Sequence, residues 1–324
     1  MLLRATLFIL LLAGTAFPQL SPQQKSDNLA SFELLWRTVR DQHPDPKLNG
    51  LNWQAIHDST RPLVETAASM DEVRDLLRGM IAQLEASHYT VIPSERYAAA
   101  SMPAGPDTPK GNLVRFGNLP ESRLYFESRV LPGGAGYIRF NEFLDPATIM
   151  PQFEASLKTF AEAPGIILDL RGNPGGIGIM AMGIAGFFID KPGLKLGEMK
   201  TREATLKFVI FPRPEPYSGP LAILVDAGSA STTEILAGGL QDLKRARIFG
   251  TRTAGAALPS DIIRLPNGDG FQYAQASYTS ENGNVLEGNG VTPDTLVRQT
   301  VEATASGHDL FIEAAEEWIR SGGH

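Results

Sequence analysis

Apolar residues between positions 27 and 42 recur at helical spacing: Leu29, Phe32, Leu35, Trp36 and Val39 fall on one stripe. Pro44 and Pro46 stop that helix. A second helix is expected from about Trp53 to Ala67. A third starts near Met70-Asp71, with Val73, Leu76, Leu77, Met80, Ile81 and Leu84 as its apolar face. Residues 101–121 are rich in Pro, Gly and Asn and read as a linker or loop. Beyond them the period changes. Gly136 to Phe143 reads as a strand and Ala147 to Glu162 as a helix. Gly165 to Leu170 reads as a buried strand and Ile177 to Ile189 as a buried helix. Leu221 to Val225 is another strand and Thr232 to Leu243 another helix. Strands alternating with helices predict an α/β domain with a largely parallel sheet. Asn267-Gly268 marks a hairpin turn, and residues 308–320 form a closing amphipathic helix. The expected layout is a signal peptide over 1–19, a helical N-terminal subdomain over 20–100, a linker or loop region over 101–135, and an α/β core over 136–324.

Composition narrows the function classes. The chain has 324 residues, 43% hydrophobic and 20% charged, which suits a packed globular protein. The net charge is -7 and no Lys/Arg-rich run occurs, so no nucleic-acid partner is expected. There is no cysteine, which removes thiol nucleophiles and thiolate metal sites; no metal and no cofactor are expected. Met1-Leu2-Leu3-Arg4, an apolar run from Ala5 to Ala13, and the small residues Gly14-Thr15-Ala16 have the three-part layout of a secretory signal. The run is short for a membrane span. The expectation is an exported protein, periplasmic or secreted, tethered to the membrane if the signal stays uncleaved.

Two strand-to-helix turns carry candidate chemistry. In Leu168-Asp169-Leu170-Arg171-Gly172-Asn173-Pro174-Gly175-Gly176 a buried strand runs into a Gly-rich turn. Such a turn can point bare N–H groups at a developing oxyanion, or it can be a plain connection. In Val225-Asp226-Ala227-Gly228-Ser229-Ala230-Ser231-Thr232-Thr233-Glu234, Ser231 stands at a helix N-cap. It either caps the helix, with Glu234 completing a capping box, or is a nucleophile held at the positive end of the helix dipole. Of five histidines, His88 is distinctive because it directly follows the third helix in Ser87-His88-Tyr89-Thr90.

Together these segments resemble the C-terminal processing, or tail-specific, peptidases, which implies a crotonase-like α/β core. Gly228 to Ile235 is similar to that family's nucleophile motif, with Ser231 as the matching serine. Gln241 to Gly250 and Gly290-Val291-Thr292-Pro293-Asp294 resemble its later landmarks. The common pattern carries a lysine base after a Thr-rich turn; here Gly250-Thr251-Arg252-Thr253-Ala254-Gly255-Ala256 puts Ala256 at that place. The sequence resembles instead the tricorn-core-like branch, which uses histidine. That resemblance implies His88 as general base, Ser87 and Glu287 as its supporting residues, and the N–H groups of Gly175 and Thr232 as the oxyanion hole. It also implies a peptide or protein substrate. Residues 89–135 are too few for the PDZ module that many relatives carry. A non-catalytic peptide- or lipid-binding protein on the same fold, and an esterase using the same site, remain as alternatives.

Overall fold

The computed structural model describes residues 20–99 and 111–323, so the expected signal segment lies outside the described residues. Helix α1 spans Pro22–Gln42 and begins before the apolar stripe does, because its start is built from polar groups. The Ser21 hydroxyl accepts the Gln24 N–H at 3.2 Å, the Gln24 side chain accepts the Ser21 N–H at 2.8 Å, and Pro22 fills the first turn. Helices α2 (Trp53–Thr66) and α3 (Met70–Ala82) are capped by Asn52 and Ser69. Strand β1 (Thr90–Ile92) and a short α4 (Glu95–Ala99) follow.

The linker reading of 101–135 needs correction in its described part. Strands β2 (Asn112–Val114) and β3 (Ser122–Leu124) pair as an antiparallel hairpin, and β4 (Phe126–Val130) pairs antiparallel with the next strand. Strands of three to five residues are too short to show a period of two, so only their turns were visible in the sequence.

The core then alternates as expected through β5 (Gly136–Phe140, ending short of the expected Phe143), α5 (Pro146–Thr159), β6 (Ile166–Asp169) and α6 (Gly178–Ala185), and again through β9 (Leu221–Val225) and α7 (Thr232–Asp242); the antiparallel pair β7 (Lys195–Lys200) and β8 (Thr205–Val209), and β10 (Arg247–Gly250), are additional strands. The hairpin β11 (Ser260–Arg264) and β12 (Gly270–Ala274), strands β13 (Ser277–Ser280) and β14 (Thr295–Leu296), and helices α8 (Val301–Ala305) and α9 (Leu310–Arg320) complete the chain. The main sheet has the order β14-β10-β9-β6-β5-β4, parallel except for β4 at one edge. Every residue of β6 and β9 is buried, which is why these strands read as unbroken apolar runs. Helices α5, α6 and α7 cover one face through Phe153, Ile184 and Leu236, and α9 contributes Phe311 and Ile319 to the other.

A second core joins α1, α2 and α3 through Phe32, Leu35, Trp53 and Leu77. It also takes in Leu265, Phe271 and Tyr273 from the β11–β12 hairpin, which lies far along the chain. The hairpin turns at Asn267-Gly268 as expected, with Gly268 at φ +90° and its N–H donated to the Leu265 carbonyl at 2.9 Å. Arg74 of α3 locks this packing. Its guanidinium donates to both oxygens of the fully buried Asp269 carboxylate, at 3.0 and 2.8 Å, and to Glu95 at 2.7 Å. The helical region and the hairpin therefore make one body that leans on the α/β core.

Candidate active site

Strand β9 ends at Val225, and the small residues of 227–230 let the chain turn sharply into α7. Ser231 sits at that turn with φ 57° and ψ -120°, a conformation rarely adopted by a residue with a side chain. What holds it there is Glu234, completely buried and gripping four donors. One oxygen accepts the N–H of Ser231 at 3.0 Å and of Ala256 at 2.9 Å. The other accepts the Gly255 N–H at 2.8 Å and the Thr253 hydroxyl. The Ser231 N–H also reaches the Ala256 carbonyl at 2.8 Å. Glu234 thus does more than close a capping box: it clamps the elbow to the 253–256 loop. Nearby Ser229 is no rival nucleophile, because it is fully buried and its hydroxyl donates to the Leu170 carbonyl at 2.8 Å.

His88 follows α3 in the left-handed region, φ 61°. Its Nδ1 lies 2.7 Å from the Ser87 hydroxyl oxygen. That hydroxyl donates to Glu287 at 2.8 Å, and the Ser87 N–H donates to the other Glu287 oxygen at 2.7 Å. The Ala257 N–H adds a third donor at 3.0 Å. A hydroxyl that donates to Glu287 must accept from His88, so Nδ1 carries the proton and Nε2 has the free lone pair. The carboxylate acts on the ring through Ser87. Burial pushes the His88 pKa below the ordinary imidazole value, and the Glu287 charge offsets part of that shift.

Ser231 and His88 line one cavity of about 560 Å³ at the carboxyl ends of β6 and β9. Its far wall is the small sheet β1-β12-β11, through Thr90, Gln272 and Ser260 to Ile262. The glycine turn closes the floor. A methyl group at Gly175, φ +96°, would lie 2.8 Å from both Ser231 Cβ and the Thr232 nitrogen, so only glycine fits. The two expected oxyanion donors differ. The Gly175 N–H is already donated to Asn173 Oδ1 at 2.9 Å, whereas the Thr232 N–H meets no acceptor among the described residues. Asn173, fully buried, organises both turns. Its Nδ2 donates to the Phe140 carbonyl at 3.0 Å, and its own carbonyl accepts from Ala230 N–H at 3.0 Å.

The other three histidines among the described residues are engaged elsewhere. His57 lies between Glu33 and Asp58, His308 pairs with Glu313, and His43 contacts the backbone of Asp45. Lys244, the first lysine after Ser231, lies past the far end of α7 and lines a different cavity with Ser218 and Trp318. Two polar residues of the site carried no legible signal: Asn118 and Glu142, both in the cavity wall. Asn118 stands in the Gly/Asn/Pro-rich stretch, and Glu142 falls within the expected 136–143 strand but lies just past the observed end of β5 at Phe140.

The family model for peptidase family S41 matches residues 134–297, and that for the tricorn protease C1 domain matches residues 26–82. A carboxyl-terminal-processing protease of Synechocystis sp. is 32% identical over 197 residues, covering 59% of this chain and 45% of that protein. A carboxy-terminal-processing protease of Bartonella bacilliformis is 29% identical over 190 residues, covering 57% and 43%. The chain thus spans less than half the length of these relatives. The crystal structure of the tricorn protease superposes with a TM-score of 0.63 at 15% identity, covering 93% of this chain and 37% of that one.

Proposed function

The chain belongs to peptidase family S41, and we propose on that premise that it is a serine peptidase that cleaves peptide bonds through an acyl-enzyme on Ser231. The observation that carries this reading is the hydrogen-bonded series His88–Ser87–Glu287 beside a strained serine at a helix start. Neutral His88 takes the Ser231 proton at Nε2 as the hydroxyl attacks the substrate carbonyl. Ser87 fixes the tautomer, and the Glu287 charge stabilises the imidazolium across it. Thr232 N–H, at the α7 N-terminus, faces the oxyanion. Gly175 N–H joins it by sharing or releasing its bond to Asn173. His88 then returns the proton to the leaving amine, and water repeats the sequence to free the acid.

A peptide fits better than a simple ester because of β11. This is an edge strand on the cavity wall, and the outward peptide group of Ile262 is occupied by side chains only. Asn118 Nδ2 donates to its carbonyl at 2.9 Å, and its N–H donates to Asp261 at 2.7 Å. An extended substrate that displaces them adds a strand beside Ser231. Among the described residues no helix is long and apolar enough to cross a membrane. Export is part of the proposal and rests on the 1–19 pattern; N-terminal sequencing of the mature protein tests it.

Labelling with a fluorophosphonate, together with mass-spectrometric analysis of a peptide mixture, tests the whole reading. Wild type should label and cleave, while Ser231→Ala and His88→Ala do neither. A wild type that does neither would be a binding protein on this fold. One that labels but cleaves only esters would remove the peptidase assignment.

A further inference from the structure

The cavity beside Ser231 has an unbalanced charge. Among its lining residues Glu142 and Asp261 are acidic, and none is a lysine or arginine. The two carboxylates differ in setting. Asp261 is exposed and already accepts the Ile262 N–H at 2.7 Å. Glu142 is half-buried, stands on the loop after β5 next to Phe143, and is held by the Ser122 hydroxyl of β3. Phe143 in turn is bonded to the glycine turn: its N–H donates to the Gly175 carbonyl at 2.8 Å and its carbonyl accepts the Ile177 N–H at 2.7 Å. Glu142 is therefore placed by the same backbone that places the oxyanion hole.

We propose that Glu142 is a specificity-determining residue that selects a lysine or arginine side chain on the substrate bound beside Ser231. Around it the wall is apolar, with Leu119, Leu144 and Ile177 able to cover the methylene stem of a long side chain. The carboxylate then meets the cationic head. No cation among the described residues pairs with Glu142, so nothing neutralises it before substrate arrives. Burial pushes its carboxyl pKa up and the Ser122 hydroxyl only partly counters this, the signature of a carboxylate short of positive charge. The same charges oppose a substrate whose free C-terminal carboxylate enters this cavity. Internal or amine-bearing positions are favoured over a carboxylate-anchored end.

This inference rests on the peptidase reading, and its test separates the two. Peptides identical except for Lys, norleucine or Glu at one position in turn are titrated against the inactive Ser231→Ala protein, so binding is read without catalysis. The same set is then offered to wild type and Glu142→Gln. At one position Lys should exceed norleucine by about ten- to hundredfold in affinity and in kcat/KM, the range of a charge-assisted contact. Glu should be the weakest. In Glu142→Gln the Lys-to-norleucine ratio should fall to near one. A purely structural role would weaken both peptides together and keep the ratio. Equal binding of Lys and norleucine, or a ratio that survives in Glu142→Gln, overturns the proposal, whereas loss of all cleavage with the binding ratio intact indicts only the peptidase reading.

Discussion

Replacing Glu287 by glutamine tests the relay most sharply. The carboxylate accepts three protein donors: Ser87 N–H on one oxygen, and the Ser87 hydroxyl and Ala257 N–H on the other. A glutamine has one acceptor oxygen, so in either orientation its NH₂ group faces a donor. The substitution thus removes a charge and misaligns Ser87 as well. The charge effect follows from distance. Two hydrogen bonds, of 2.7 and 2.8 Å, separate the carboxylate from the imidazole. At roughly 5 Å and an effective dielectric of about 20, a unit charge stabilises the imidazolium by about 3 kcal/mol, near two decades in rate. Because the imidazolium forms only as Ser231 attacks, the loss should fall on kcat. Misalignment of Ser87 adds to it, so a drop of roughly 10²–10⁴-fold is expected. The second-order rate of fluorophosphonate labelling, followed against pH, reads this without a known substrate. The rising limb should also move to lower pH, since His88 loses the charge that holds its pKa up. Wild-type labelling with an unmoved profile would remove Glu287 from the mechanism.

Four further outcomes are expected. Wild-type labelling should rise with pH through one ionisation below the ordinary imidazole value, because burial holds His88 neutral. The same depressed pKa means that His88 favours the folded state fully above the unfolded imidazole value and loses that advantage as pH falls from there through its lower folded value, which acid-unfolding midpoints for wild type and His88→Gln would register. Gly175→Ala should abolish labelling while the protein still folds, as its methyl group would lie 2.8 Å from Ser231 Cβ at a backbone angle of φ +96°; a labelled, active Gly175→Ala protein would contradict the tight floor. Arg74→Met should lower stability by about 3–5 kcal/mol in denaturant titration, since it strands the buried Asp269 carboxylate, and a loss below about 1 kcal/mol would show that Asp269 is satisfied without it.

The strongly apolar elements were legible in sequence: α1 and α3 bury a stripe at helical spacing, and β6 and β9 are unbroken apolar runs because both of their faces are covered. The hairpin turn was legible because Asn-Gly has a local conformational meaning. Strands β2 to β4 were not, since three to five residues bounded by Pro and Gly carry no countable alternation. At the site, Ser231, His88, Ser87 and Glu287 were reached through their resemblance to a motif, and the hydrogen bonds 87–88–287 bring three of them together. The order within the series was not legible. The resemblance named Ser87 and Glu287 only as supporting residues of His88; the fold places Ser87 between the ring and the carboxylate, because only a three-dimensional path decides which atom reaches Nδ1. Glu234 and Asn173 were underestimated for the same reason, as their hydrogen-bond partners are scattered from position 140 to 256. Asn118 and Glu142 were missed entirely, each being an isolated polar residue on a connection.

The hairpin that completes the helical core has a bearing on when this protein can act. His88, the proposed base, follows α3 in a body whose core is incomplete without β11 and β12. Synthesis delivers His88 early, Ser231 later, and the hairpin and Glu287 last of all. A chain interrupted or still unfolded at any point before that holds a histidine and a serine with nothing to align them. On the proposed peptidase reading, the topology thus acts as a safety catch, withholding the alignment of His88 until the hairpin and Glu287 have been made and have docked.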